Sequence, residues 1–175
     1  MKKETPGGVT TRGKALTTIG ERVSVGERAP DFTLRNKSQE TVTLQDSSGK
    51  IRLISVVPSL DTGICDLQTR RMNEEAVKLG DDVVVLTVSA EHPFNQRRWC
   101  GSAGVENIDV LSDHYDMNFG EAYGVAIKEW RLEQRAMFVI DADDVVRYTE
   151  YVPEIGQHPD YDAVLAAVVK IKDEA

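Results

Sequence analysis

Apolar and polar residues follow two different rhythms along this chain, and the rhythm changes at glycines and prolines. Ile51, Leu53, Ile54, Val56 and Val57 form a dense, β-branched run. That is the pattern of a strand buried on both faces, and Pro58 ends it. From Gly63 to Leu79 the period lengthens. Cys65, Thr69, Met72, Ala76 and Leu79 recur at spacings of 4, 3, 4 and 3, which marks one face of a helix. Gly80 suits its C-terminal cap. Val83 to Ser89 reads as a second buried strand. Pro93 to Cys100 reads as a short helix, with Pro93 in its first turn and Gly101 as its stop.

Val110-Leu111 predicts a third strand and Phe119 to Tyr123 a short helix. Met137 to Ile140 and Val145 to Tyr151 flank a turn at Asp141 to Asp144, an antiparallel hairpin. The last helix runs from Tyr161 to Ile171, with Val164, Leu165, Val168 and Ile171 on one face. Upstream, Val9 to Thr11 and Ala15 to Thr18 flank Arg12-Gly13-Lys14 as a small hairpin. Gly13 supplies the positive φ of its turn. Ala29 to Leu34 starts an extended stretch, and Thr41 to Leu44 pairs nearby. Residues 1–8 are polar and carry Pro6, Gly7 and Gly8, so a flexible lead-in is expected there. The order hairpin, βαβαβ, ββα predicts one α/β domain over residues 1–175, with a mixed sheet and helices on both faces.

Composition narrows the function. The 175 residues are 41% hydrophobic and 29% charged, enough for a core without staples. The net charge of -8, with no Lys/Arg cluster, disfavours nucleic acid and anionic lipid as partners. No run approaches the roughly 18 apolar residues of a membrane span. The polar first residues resemble no secretory leader. A soluble, cytoplasmic protein is expected, in which a standing structural disulfide would be unusual. Two cysteines in such a compartment are free, metal-bound or redox-active. His92, His114 and His158 show no ligand spacing with them, so no metal or other cofactor is expected, and the three histidines read as surface or capping residues.

Pro58-Ser59-Leu60-Asp61-Thr62-Gly63-Ile64-Cys65 joins a buried strand to a helix. Ligand sites of open α/β sheets lie beyond such strand ends. Cys65 falls in the first helical turn, where unpaired N–H groups, those of Ile64 and Cys65 included, and the positive dipole end stabilise a thiolate. The same groups can bind a peroxide oxygen. Thr62 is expected as the N-cap, its hydroxyl facing the N–H of Cys65. Pro58 has no N–H and walls off bulk water. Each of these residues alone would read as ordinary core, cap or strand terminator. Their combination at this spacing is what points to chemistry.

Pro58-x-x-x-Thr62-x-x-Cys65 resembles the signature of the peroxiredoxins, which have a thioredoxin-like fold. The full octapeptide is similar to that of the thiol peroxidase branch of atypical two-cysteine peroxiredoxins. So are Ser89-Ala90-Glu91-His92-Pro93-Phe94, Arg98-Trp99-Cys100-Gly101, Ala122-Tyr123-Gly124-Val125 and Pro159-Asp160-Tyr161-Asp162-Ala163. The similarity covers nearly the whole chain from Val9 onward. It implies Cys65 as the peroxidatic nucleophile, Thr62 and Pro58 as its motif partners, and Cys100 as the resolving cysteine of a Cys65–Cys100 disulfide. It implies an arginine from a distant strand, and the matching segment is Gln134-Arg135-Ala136-Met137-Phe138. Arg135 opens its strand. If that strand is antiparallel to the one at 51–57, its start lies beside Cys65. A hydroperoxide substrate, a thioredoxin-like reductant and a homodimer follow from the same resemblance. The helix dipole favours a thiolate at Cys65 and disfavours one at Cys100, which ends its helix. A general dithiol–disulfide oxidoreductase is the rival enzyme, although it would use a C-x-x-C pair that is absent. A peroxide-sensing switch is the rival without turnover. The stretch Lys128 to Glu133, with Trp130, is a loop of open role.

Overall fold

Strands that alternate strictly between two apolar faces need a layer on each side, and this chain supplies both. The computed structural model describes residues 1–175. The elements are β1 (Glu4–Thr11), β2 (Lys14–Ile19), β3 (Thr33–Arg35), β4 (Thr41–Thr43), β5 (Ile51–Val56), α1 (Gly63–Leu79), β6 (Val83–Ser89) and α2 (Pro93–Ala103). There follow β7 (Asp109–Ser112), α3 (Asn118–Ala122), β8 (Ala126–Ile127), β9 (Leu132–Glu133), β10 (Ala136–Ile140), β11 (Val146–Tyr151) and α4 (Tyr161–Glu174). Seven strands form the central mixed sheet, in the order β11-β10-β5-β6-β7-β3-β4. β5, β6 and β7 are parallel, while β10 and β11 run antiparallel. The expected α/β fold is the one observed.

One residue in two on β5 and β10 faces each layer. Leu53, Met137 and Val139 enter a cluster with Cys65 and Met72 of α1, Cys100 of α2, and Val164 and Val168 of α4. Ile54, Val56, Phe138 and Ile140 enter the opposite cluster, with Phe119 and Tyr123. There the Phe119 and Tyr123 rings stack at 4.3 Å and Phe138 meets Tyr123 edge-on at 5.2 Å. A second, four-stranded ribbon of order β1-β2-β8-β9 lies apart from the central sheet.

Several expected boundaries move. β1 begins at Glu4 and pairs with β2 through Ile19, so residues 4–8, expected as lead-in, are strand. The turn forms at Arg12 (φ 49) and Gly13 (φ 77), as the glycine required. Helix α2 runs past Gly101 to Ala103. It stops at Gly104, whose φ of 68 gives the left-handed cap that Gly101 was expected to give. Lys128 to Glu133 is a tight connection within the ribbon, because Leu132 and Glu133 pair with Ile127 and Ala126. No helix is long and apolar enough to cross a membrane.

Candidate active site

The site begins where β5 ends. Val57 N–H bonds Val88 O at 3.0 Å, which carries the strand edge up to Pro58, itself buried. The segment to α1 is pinned from below. Leu60 N donates to Glu91 Oε1 at 2.6 Å, and Ser89 Oγ donates to the same oxygen at 3.1 Å. Thr62 has the extended backbone of an N-cap, and Asp66 N donates to its carbonyl at 2.8 Å. Its hydroxyl does not bond the N–H of Cys65, contrary to expectation. It donates to Ser59 O at 3.2 Å, which closes the preceding turn on itself. Thr62 is exposed.

Cys65 is the third residue of α1 and is wholly buried. The first N–H groups of a helix have no intrahelical acceptor, so its sulfur lies at the positive end of a 17-residue helix. Thr69 Oγ1 bonds back to Cys65 O at 2.8 Å, which fixes the backbone behind it.

Arg135 reaches the sulfur from the start of the strand beside β5. Ala136 is in register with Val56 on antiparallel β5 and β10, so Arg135 stands just beyond the end of β5. Its Nη2 lies 3.3 Å from Cys65 Sγ. The guanidinium is only 1% exposed. A buried cation demands partners, and these are specific. Nη1 donates to Gln68 Oε1 at 2.8 Å and Nη2 to Ile155 O at 2.9 Å.

Gln68 is one residue that reading the sequence missed. It is fully buried and continues the network, Nε2 donating to Ser55 Oγ at 2.8 Å. Its signal was its place three residues after Cys65, on the same helical face. Pro58, Thr62, Ile64, Cys65 and Arg135 thus converge at one strand end.

Cys100 is not in that convergence. It lies in the last turns of α2, 3% exposed, with both sulfurs as free thiols in one apolar cluster. Its carbonyl accepts from Gly104 N and, at 3.1 Å, from Val105 N. Burial pushes the Cys100 thiol up. The α2 end is also tied to α1. Arg70 Nη1 donates to Ala103 O at 3.3 Å, and Asn73 Oδ1 accepts from Asn107 N at 2.8 Å.

The histidines serve locally. His92 caps α2, its Nδ1 accepting from Phe94 N at 3.2 Å. His92 and His114 are not isolated as their spacing indicated: their rings stand 4.6 Å apart.

Residues 24–165 match the family model described as Redoxin. The chain is 56% identical over 159 residues to a thiol peroxidase of Halalkalibacterium halodurans, a match covering 91% of this chain and 95% of that protein. It is 53% identical, at the same coverage, to a thiol peroxidase of Bacillus subtilis. Among solved structures, a peroxiredoxin-like protein from Aquifex aeolicus superposes with a TM-score of 0.87 at 34% identity, covering 93% of this chain and 96% of that one. A thiol peroxidase from Chromobacterium violaceum gives a TM-score of 0.84 at 23% identity, covering 95% and 98%, a likeness of fold. The chain belongs to the redoxin family, among its thiol peroxidases, and its activity is that of a thiol-dependent peroxidase.

Proposed function

We propose that Cys65 is the peroxidatic nucleophile and Cys100 the thiol that resolves it. The observation that carries this reading is the 3.3 Å approach of Arg135 Nη2 to Cys65 Sγ at a helix N-terminus. A cation and a helix dipole both favour the sulfur anion, and only the anion attacks peroxide. The thiolate attacks one oxygen of the O–O bond. That bond breaks and releases water or an alcohol, the leaving oxygen taking a proton from solvent. Cys65 becomes a sulfenic acid. Arg135 and the N–H groups of Ile64 and Cys65 hold the charge that shifts from sulfur to oxygen. Thr62 Oγ1 orients the peroxide and Pro58 excludes water.

The Cys100 thiol then attacks the sulfenic sulfur and expels water, leaving a Cys65–Cys100 disulfide. The two thiols sit in separate helices and both are buried, so helix ends open for the bond to form. The α2 end is the segment that gives, since its ties to α1 are few and exposed. A thioredoxin-type dithiol returns two electrons by exchange. A homodimer in the cytoplasm completes the reading.

The test is peroxide consumption with thioredoxin and its reductase. Cys65→Ser is expected to abolish turnover. Cys100→Ser is expected to form a sulfenic acid once and then stall. Normal recycling of Cys100→Ser would remove the resolving role, and normal turnover of Cys65→Ser would remove the nucleophile.

A further inference from the structure

The reading of Arg135 as the partner of the Cys65 sulfur raises the question of what aims it. Two hydrogens leave Nη2 at the fixed angle of a planar nitrogen. One goes to Ile155 O at 2.9 Å and the other points at Cys65 Sγ at 3.3 Å. Wherever the Ile155 carbonyl sits, the second hydrogen is steered accordingly. Arg135 Nε has no partner, so the aim of this group rests on Gln68 and Ile155 alone.

Ile155 belongs to the connection between β11 and α4, which is neither helix nor strand. A loop of this kind holds its carbonyl in place only if something else fastens it. Here the fastener is Glu154. Its Oε1 accepts from Arg12 N at 2.8 Å, and its Oε2 accepts from Thr10 Oγ1 at 2.6 Å and from Gly13 N at 3.4 Å. The turn of the first hairpin is built for this. The positive φ of Arg12 and Gly13 turns successive N–H groups toward one point, a concavity for a carboxylate. Backbone bonds add to the clasp, Thr10 N donating to Pro153 O at 2.8 Å and Ile155 N to Thr10 O at 2.9 Å.

We propose that Glu154 is a positioning residue for the peroxidase reaction. Its carboxylate locks the Pro153–Ile155 loop onto the hairpin turn, so that the Ile155 carbonyl holds Arg135 on the Cys65 sulfur. The line of contacts runs from Thr10, Arg12 and Gly13 through Glu154 to Ile155, Arg135 and Cys65. The N-terminal hairpin, remote from the chemistry in sequence, thereby belongs to the reaction's support. This inference rests on Cys65 and Arg135 acting as proposed above.

The experiment measures the second-order rate of Cys65 oxidation by hydrogen peroxide in a single turnover, on the full-length protein. Glu154→Ala is expected to slow it roughly 10- to 100-fold, the scale of a reacting group misplaced by about 1 Å. Glu154→Gln keeps an acceptor for Arg12 N and is expected to recover part of the loss. Thr10→Val removes the 2.6 Å donor and leaves the carboxylate, and a smaller loss in the same direction is expected. It carries the test if Glu154→Ala does not fold. A general loss of structure would slow any background. A positioning role instead predicts that Glu154→Ala changes the rate by less than about twofold once Arg135 is already alanine. A parent-like rate in folded Glu154→Ala, or an equal loss with and without Arg135, overturns the inference. If Cys65→Ser still consumes peroxide, the reading of the site itself falls, whatever Glu154 does.

Discussion

A single guanidinium does three things at once in this protein: it satisfies Gln68, it holds Ile155, and it faces a sulfur. Arg135→Ala would leave Cys65 with the helix N-terminus alone. Hydrogen bonds to charged groups contribute about 1.5–3 kcal/mol, so alkylation of Cys65 by a small reagent at neutral pH is expected to slow roughly 10- to 100-fold. Labelling followed by mass spectrometry measures this. In the parent, Cys100 is expected to label slowly, because burial holds its proton on. Cys65, Thr62, Pro58 and Arg135 were readable because a short motif and its resemblance named them. Gln68, Glu91 and Glu154 were not. Each is a polar residue whose role exists only through a partner 31 to 144 positions away or through a buried surrounding that no local pattern shows. The hydroxyl of Thr62 shows the opposite error, since a good capping residue in the right place bonds Ser59 O instead.

Element boundaries carried more surprise than element types. Buried strands β5 and β6 and helix α1 were legible because their apolar periods are long and uninterrupted. β1 was not, because an edge ribbon with exposed side chains has no apolar period to read in residues 4–8. β9 is two residues long and hides another feature. Glu133 is fully buried, and its carboxyl oxygens find no donor. Its neighbour is Asp113, whose own oxygens accept from Phe119 N at 3.1 Å and Gly120 N at 2.8 Å. Burial first, and then the Asp113 charge, push the Glu133 carboxyl well up. Burial also pushes Asp113 up, against the pull of its hydrogen bonds from Glu133 and these amides. Both shifts favour a neutral Glu133 carboxyl that keeps its proton and points it at Asp113. For a group raised on folding, the stability it contributes is whole below the ordinary value of 4.5 and is lost as pH rises toward the folded value. Glu133→Gln keeps a donor for Asp113 and removes the titration. Its urea midpoint is expected to vary less than the parent's between about pH 5 and pH 9. Parallel curves would remove the assignment.

On the scale of the whole molecule, two apolar clusters sandwich one sheet, and both thiols lie in the same one. Hydrogen exchange should show which helix yields when they join. Loss of amide protection on oxidation is expected in residues 96–107, where the Cys100 carbonyl and the Arg70 and Asn73 ties are broken. Protection lost only at 62–68 would mean that α1 moves instead. The fold class was readable at this scale because strand and helix periods alternate in one order. The separate ribbon was not, since the two-residue strands β8 and β9 give β2 a neighbour more than a hundred residues on, with no apolar run to announce it.

The shared cluster of Cys65 and Cys100 has an energetic consequence. If the two join as proposed, drawing Cys100 out of a packed interior costs contacts that the dithiol keeps, so the dithiol is expected to be the sturdier of the two redox forms. In a thermodynamic cycle, whatever the reduced fold gains over the oxidised one appears as a more positive reduction potential. The protein is expected to melt at a higher temperature as a dithiol than as a disulfide, and the gap between the two melts measures how readily the spent enzyme accepts electrons.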